Sequence, residues 1–545
     1  MTTTRLLHDL LILRSAPGEQ DRIAVVTRGR SYTYHQLIDS SQRLAAALLT
    51  SGVKRGDRIA IFLENSWESA VSIFGTLLAG AVFILISPQT KSEKLRFILS
   101  DSGSRAIIAE NHLGNVLRSA TASLDIPPFS LIVGDPHDST PNSFFHALNS
   151  ATPLATVATI PLDLAAILYT SGSTGNPKGV MLTHQAMVFT VWSLVEYLKL
   201  NREDRILCAL PISFDYGLYQ LLMAVALGAC LILDRSFIFL GKLIEQLHSE
   251  QITVFPAVPT VFANLIAAHR RNPMCFPHIT RVTNTAAALP DDFVPPLREL
   301  FPNALIYKMY GLTECKRVSY LSPEFLDAKP GSVGKPIPGT EVYLLSTDGT
   351  TTPTGEIGTL HVRGPHVMAG YWNRPDLTEQ MLKPGKLPGE RILCTHDLFR
   401  MDDEGFLYFV ARSDEIIKCR GQKVSPIEVE NALHRIPGIV EAAVVGVPDP
   451  LHGEAIRAYV VVSSSAQLTT NEIRKSAALL LEPHMIPSQL ILCTKLPRTS
   501  NGKIAKRKLS SSLIFSTSEP RTSSAQLGQF TSLDVVDDQS QMPDE

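Results

Sequence analysis

Two periodicities alternate along the first 130 residues. Leu37, Leu44, Leu48 and Leu49 make a helical stripe over Tyr34–Leu49, and Gly52 stops it. Ile59–Leu63 is an unbroken apolar run of strand length. Trp67–Leu78 reads as a helix, Ala81–Ile86 as a strand, Lys91–Leu99 as a helix and Ala106–Ala109 as a strand. Strands alternating with helices predict mostly parallel sheets covered on both faces, and the rhythm continues to about residue 350. The most apolar stretch, Leu221–Leu233, is bounded by Gln220 and Asp234–Arg235. It is shorter than the roughly 20 residues that cross a bilayer core and reads as a buried helix leading into a strand, so no membrane span is predicted.

The pattern changes beyond residue 400. Phe406–Val410 and Ile416–Cys419 read as strands flanking Ala411–Asp414. Ser425 as N-cap, Pro426 at the first helical position and Glu428 form a capping box that opens a helix. Ala442–Val447 and Ala458–Val462 are strands. A second capping box, Thr469 to Glu472, opens a helix through about Leu481, and Leu490–Cys493 is the last strand. The predicted architecture is α/β: a large domain of layered, mostly parallel sheets with helices over 1–411, and a small α+β domain over 412–510. A tail over 511–545, rich in Ser, Thr, Gln and Asp, is predicted to be disordered.

A length of 545 residues fits more than one folding unit. The 50 Lys+Arg against 52 Asp+Glu leave a net charge of -2, so no global positive field exists to hold nucleic acid, and phosphate chemistry must come from a local site. Seven cysteines are scattered without a CxxC pair, which argues against a disulfide framework or zinc knuckle and suits a reducing compartment. Their bland reading is as small buried apolar residues. Arg5, His8 and Asp9 with no long apolar run following predict no signal peptide, and Pro543-Asp544-Glu545 lacks the simple organelle addresses. A cytoplasmic protein is expected.

The sharpest chemical signal is Leu168–Met181, with Thr170, Ser171, Gly172, Ser173, Thr174, Gly175, Lys178 and Gly179 following the apolar run Ala165–Leu168. Glycines admit phosphate oxygens close to the backbone. Amides and hydroxyls donate to them, and Lys178 adds charge. Pro177 before Lys178 and Gly179 after it exclude the Walker P-loop. A bland alternative is a flexible Ser/Gly-rich turn. The order of residues resembles the ATP-binding signature of the adenylate-forming superfamily: acyl- and aryl-CoA synthetases, nonribosomal peptide adenylation domains and firefly luciferase. The likeness extends over about 25–510. Tyr310–Glu314 is similar to the second core motif, and Thr395–Asp397 with Asp403–Leu407 to the third. Arg412–Lys418 is similar to the domain-junction motif and Pro497–Ile504 to the terminal lysine motif.

The resemblance implies a two-step reaction. A carboxylate attacks the α-phosphorus of ATP to give acyl-AMP and pyrophosphate, and a thiol then takes the acyl group. It implies Glu314 as the Mg²⁺ carboxylate, Thr313 as an α-phosphate donor, and Tyr310 beside Gly311 stacking on adenine. Asp397 would accept the ribose hydroxyls and Arg412 would contact ribose or phosphate. Lys503 would bridge the substrate carboxylate and the α-phosphate, Asp414 would be the hinge, and Gly421, on the Lys418–Val424 face, would lie beside the pantetheine tunnel. Two departures stand out. The adenine-side Gly-Gly-Ala of the family is Ala286-Ala287-Ala288 here, with Ala287 in the nucleotide pocket, and the family's usual Gly is His396. Of the basic residues after Lys503, Lys506-Arg507-Lys508 read as a surface tail.

Asp215 and Tyr216, in Pro211–Leu218, fall where the family builds an acyl-pocket wall. A carboxylate in an apolar pocket is costly without a cation, so Asp215 suggests an amine-bearing substrate. Alternatively it caps the helix Tyr216–Val225. The expected substrates are ATP and a small carboxylic acid, and the acceptor is CoA or the phosphopantetheine of a separate carrier protein. A free-standing amino-acid adenylating enzyme is the alternative. A luciferase-like oxygenase shares the scaffold, but no residue identifies its oxidation chemistry. A nonenzymatic nucleotide binder would not need Lys503.

Overall fold

The structure, a computed structural model, describes residues 4–125, 128–153, 157–171, 177–235, 239–284, 287–413, 415–419, 422–449, 453–463, 466, 468–499 and 503–510. Three sheets organise them. In the seven-stranded sheet, Leu164–Ser171, Val82–Leu85, Arg58–Phe62, Ala106–Glu110 and Phe129–Val133 are successive parallel neighbours. Pro177–Thr183 and then Gly370–Tyr371 add antiparallel at its edge. The central strands are buried on both faces, which is why they read as continuous apolar runs. Trp67–Leu78 is a helix with the predicted bounds, and its Ser66–Ser69 capping box fixes the start.

The second sheet has 14 strands among the described residues. Its parallel half includes Arg205–Cys208, Val254–Ala257, Arg281–Asn284 and Leu305–Tyr310. From Ser319–Leu321 onward its neighbours are antiparallel, through Ser332–Pro336, Leu407–Arg412, Arg391–Met401, Ile357–Arg363 and Glu341–Leu345. The strand–helix rhythm therefore ends near 310 and not near 350. Turns such as Asp402–Gly405 replace crossover helices there, with Gly405 in the left-handed region at φ +83°.

The third sheet has five strands. Gly453–Val462 lies antiparallel to Ile439–Asp449 and parallel to Gln489–Cys493, with Ile417–Cys419 and Gln422–Val424 at one side. The Thr469–Glu472 capping box is present in full, and its helix runs Thr470–Ala478, shorter than expected. At Ser425 only half the box forms. Its hydroxyl accepts from the Glu428 amide and donates to the Val410 carbonyl, while the Glu428 side chain is exposed. Lys506 is no solvated tail residue: its Nζ lies 2.7 Å from Glu430, and Tyr459 donates to the Leu509 carbonyl at 2.9 Å. All seven cysteines are free and five are buried. No helix among the described residues is long and apolar enough to cross a membrane.

The chain near its start is fastened by histidine chemistry. The Leu7 amide donates to His184 Nδ1 at 3.0 Å, and the His8 and His184 rings meet edge to face at 5.6 Å. Burial holds both rings neutral, and His184 is pulled down to about 4. An unfolded histidine titrates near 6.5, so between about 6.5 and 4 the unfolded chain binds the extra proton first and stability is lost as pH falls. One such group accounts for about 2 kcal/mol between pH 7 and pH 5. Urea unfolding midpoints at the two pH values should show this loss, and His184→Asn, which keeps an acceptor for Leu7, should reduce it. Equal midpoints for the wild type would contradict the assignment.

Candidate active site

Ligands of open α/β sheets gather beyond the carboxyl ends of the strands. Here the segments following Arg205–Cys208, Arg281–Asn284 and Leu305–Tyr310 carry Asp215, Ala287 and the Tyr310–Arg317 loop.

The phosphate-loop hairpin is set by antiparallel pairing of Leu164–Ser171 with Pro177–Thr183. Thr170 faces Lys178 and Ser171 faces Pro177 across the ladder. Gly172, Ser173, Thr174 and Gly175 lie outside the described residues. Gly179 is required by crowding, since a Cβ there would lie 2.7 Å from Ile167 Cγ2 and 3.3 Å from Trp372 Cβ. The next strand over, Gly370–Tyr371, places Tyr371 opposite Val180. The Tyr371 ring lies 4.9 Å from Lys178 Nζ, and its hydroxyl donates to Glu314 at 2.6 Å. Tyr371 thus joins a cation–π contact to a hydrogen bond between the two motif charges. Sequence reasoning missed it, because a two-residue strand so far along the chain from the loop leaves no periodic signal, and only tertiary pairing brings the two together.

Tyr310, Asp397 and Arg412 form a second cluster. Asp397 and Arg412 are register partners across the Arg391–Met401 and Leu407–Arg412 hairpin, with Arg412 Nε 3.6 Å from Asp397 Oδ1. Tyr310 donates to Asp397 Oδ2, and its ring packs edge-on against Phe399 at 4.8 Å. Asp397 is 4% exposed. Burial pushes its carboxyl up to about 6, against the pull of Arg412. Its Oδ1 is a buried acceptor without a hydrogen-bond donor among the described residues. The peptide before it explains the departure at 396: His396 sits at φ +57°, where glycine is the unstrained residue.

Asp215 does not meet the capping expectation. The helix Asp215–Leu227 has Phe214 as N-cap and no side-chain cap bond, so Asp215 does not cap it. Its carboxylate lies 3.5 Å from Lys316 Nζ, with the two side chains only 10% and 4% exposed. The chain itself therefore supplies the cation that the sequence left missing. Tyr216 bonds Thr283 at 2.5 Å. The wall is held by Asn65, which donates to the Leu210 and Asp234 carbonyls at 2.9 and 2.8 Å and accepts from the Ile212 amide at 2.8 Å.

Thr313 and Glu314 are half-buried on the 311–317 loop, and Ala287 is exposed, its carbonyl accepting from Asn284 at 2.9 Å. Ala286, Asp414 and Gly421 lie outside the described residues. Lys503 is exposed, on a turn where the Thr499 amide donates to the Lys503 carbonyl at 2.8 Å. Lys178, Glu314 and Tyr371 are brought together, as are Tyr310, Asp397 and Arg412. Lys503 has no ion pair with either cluster among the described residues.

Fold and site together define an enzyme built from a large layered domain and a small C-terminal sheet. The chain belongs to the AMP-binding enzyme family, whose profile matches residues 12–372, with the family's C-terminal domain matching 428–503. It is 30% identical over 529 residues to a long-chain-fatty-acid–CoA ligase of Bacillus subtilis, covering 92% of this chain and 93% of that one. It is 30% identical over 496 residues to gramicidin S synthase 2 of Brevibacillus brevis, covering 90% of this chain but 11% of that protein. An anthranilate CoA ligase solved with anthranoyl-AMP superposes with a TM-score of 0.86 at 25% identity, covering 94% of this chain and 98% of that one. The protein is an ATP-dependent, AMP-forming acid–thiol ligase: it activates a carboxylic acid as acyl-AMP and forms a thioester. The amino-acid-adenylating alternative is not favoured.

The loop 311–317 folds back on Gly311, where a Cβ would overlap the Lys316 carbonyl oxygen and lie 2.9 Å from Arg317 Cα. These are backbone atoms that cannot rotate away. Gly311→Ala should displace Thr313, Glu314 and Lys316 together and lower ATP–pyrophosphate exchange by about 10²-fold or more, the loss typical of one misplaced preorganised group. Exchange within threefold of wild type would show the loop to be tolerant.

Proposed function

We propose that the acceptor is CoA and that the two charged clusters bind opposite ends of ATP. The reading is carried by Asp397 Oδ1, a buried acceptor beside a guanidinium and with no hydrogen-bond donor among the described residues, which matches the two hydroxyl donors of a ribose. Thr170, Ser171, Gly172, Ser173, Thr174, Gly175 and Lys178 would cradle the phosphates. Thr313 would donate to the α-phosphate, and Tyr310, Gly311 and Ala287 would border the adenine. Arg412, half-exposed beside Asp397, would reach ribose or phosphate through its planar fork.

Glu314 fits a magnesium ion, since its half-buried carboxylate is hard, oxygen-donating and oriented by Tyr371. Bound there, the ion would supply positive charge to the phosphate oxygens. Tyr371→Phe keeps the ring beneath Lys178 and removes only the donor to Glu314. It should raise the Mg²⁺ concentration for half-maximal exchange severalfold while leaving the KM for ATP at saturating Mg²⁺ within about twofold. A change in KM alone would place Tyr371 in nucleotide binding instead.

Lys503 would act from the small domain, which would rotate about Asp414. Inserted, its ammonium would neutralise the approach of a carboxylate to the α-phosphate. Swung out, it would leave the Gly421 face to admit the thiol. Lys503→Ala should abolish acyl-AMP formation and spare transfer from supplied acyl-AMP to CoA. Equal loss of both half-reactions would reject this division. The function itself is tested by ATP–pyrophosphate exchange over a panel of aliphatic and aromatic acids, followed by CoA-dependent AMP release. Acid-dependent exchange without AMP release on adding CoA would point to a carrier protein as acceptor.

A further inference from the structure

The Asp215–Lys316 pair is among the most deeply buried charge pairs of the described residues. Lys316 follows Glu314 by two residues and sits at φ +59°, in the left-handed region that an L-residue adopts at a cost. Its Nζ lies 4.9 Å from the Tyr216 ring centroid and 5.0 Å from that of Tyr219, so two aromatic faces and one carboxylate receive the ammonium. Arg317 lies on the same Tyr216 ring at 5.4 Å. Tyr216 is tied to Thr283 on the Arg281–Asn284 strand, and Gly217 lets the helix lie against Leu210 and Pro211, since a Cβ there would overlap the Pro211 carbonyl oxygen. The pair is thus built into the wall that sequence similarity assigns to the acyl group.

We propose that Lys316 is a specificity-determining residue of the acyl site, its side-chain ammonium taking the position at Asp215 that an amine-bearing acid would need, so that the enzyme selects acids without an amine beside the carboxylate. This rests on the reading of the protein as an acid-activating ligase. A second ammonium brought to Asp215 would meet Lys316 across a desolvated site and find no free carboxylate. A methylene in the same place needs no partner.

The test is ATP–pyrophosphate exchange with matched acids: octanoic against 2-aminooctanoic acid, and 3-phenylpropanoic acid against phenylalanine. Wild type should favour the amine-free member of the better pair by at least about 10²-fold in kcat/KM. Lys316→Met, of similar length and uncharged, should shift that ratio toward the amine by at least tenfold. Lys316→Gln repeats the test if the methionine variant folds poorly. Lys316→Arg should keep the wild-type preference, and Asp215→Asn combined with Lys316→Met should lose the gain, because the carboxylate that receives the amine is gone. The proposal is overturned if the neutral variants leave the ratio within twofold of wild type, if the double variant retains the gain, or if wild type already uses both members equally. Absence of exchange with every acid in folded wild-type protein would overturn the acid-activating reading and this inference with it, whereas exchange with an unchanged ratio overturns only the inference.

Discussion

The close return of the 311–317 loop onto Gly311 is the constraint on which both ends of the site depend. Lys316 and Arg317 backbone atoms occupy the space that any side chain at 311 would claim, and the Val318 amide closes the turn on the Tyr310 carbonyl at 3.0 Å. Because the loop is pinned at its neck, its successive residues point to different chemistry. Tyr310 reaches Asp397, Glu314 reaches Tyr371, and Lys316 reaches Asp215. Seven residues thereby couple the contacts to Asp397, Tyr371 and Asp215 through one backbone conformation, and a displacement at the neck cannot be confined to one of them. This is the geometric form of preorganisation: the groups are positioned by packing before any substrate arrives.

The charges in this region meet their partners because of the topology. Asp397 meets Arg412 because they face each other across an antiparallel hairpin. Lys178 meets Tyr371 because Gly370–Tyr371 adds to the edge of the hairpin that carries the lysine. Asp215 meets Lys316 through two loops leaving separate strands of one sheet. In each case a local charge is retained in a low-dielectric setting only because tertiary structure delivers its partner. Asn65 performs the same service without charge. Its one amide, just past the Arg58–Phe62 strand of the seven-stranded sheet, satisfies three backbone groups on segments leaving the 14-stranded sheet.

That distinction also separates what the sequence made legible from what it did not. Trp67–Leu78, the Thr469–Glu472 box and the buried strands were readable because helix caps and apolar runs are local signals. The Thr170–Gly179 segment stood out in the sequence because its residues are contiguous. The capping alternative for Asp215 was misread, and its internal partner was invisible, since Lys316 lies 101 positions away and only the fold brings the two together. Lys506 looked like a solvated tail because charge composition carries no information about the Glu430 it meets. The rhythm after residue 310 was overextended because antiparallel hairpins and βα units share the same apolar strands and differ only in what connects them. His396 was visible as a departure, but its meaning required the backbone: the position lies in the left-handed region, where a histidine is held at a cost in strain.

The small C-terminal sheet is tied to the large one through a polar contact. Ser425, the cap of the first C-terminal helix, donates to the carbonyl of Val410, the residue two before Arg412 on the last strand of the large sheet. Lys506, near the chain's described end, makes its contacts inside the small unit, with Glu430 of that same helix at 2.7 Å and with Glu415 at 3.9 Å. It therefore ties the last described helix back onto the first helix of the small sheet and keeps that unit together. The exposed Lys503, three residues before Lys506, is carried on the same unit. Tyr310, Asp397, Arg412, Lys178 and Tyr371, by contrast, sit on strands of the two large sheets.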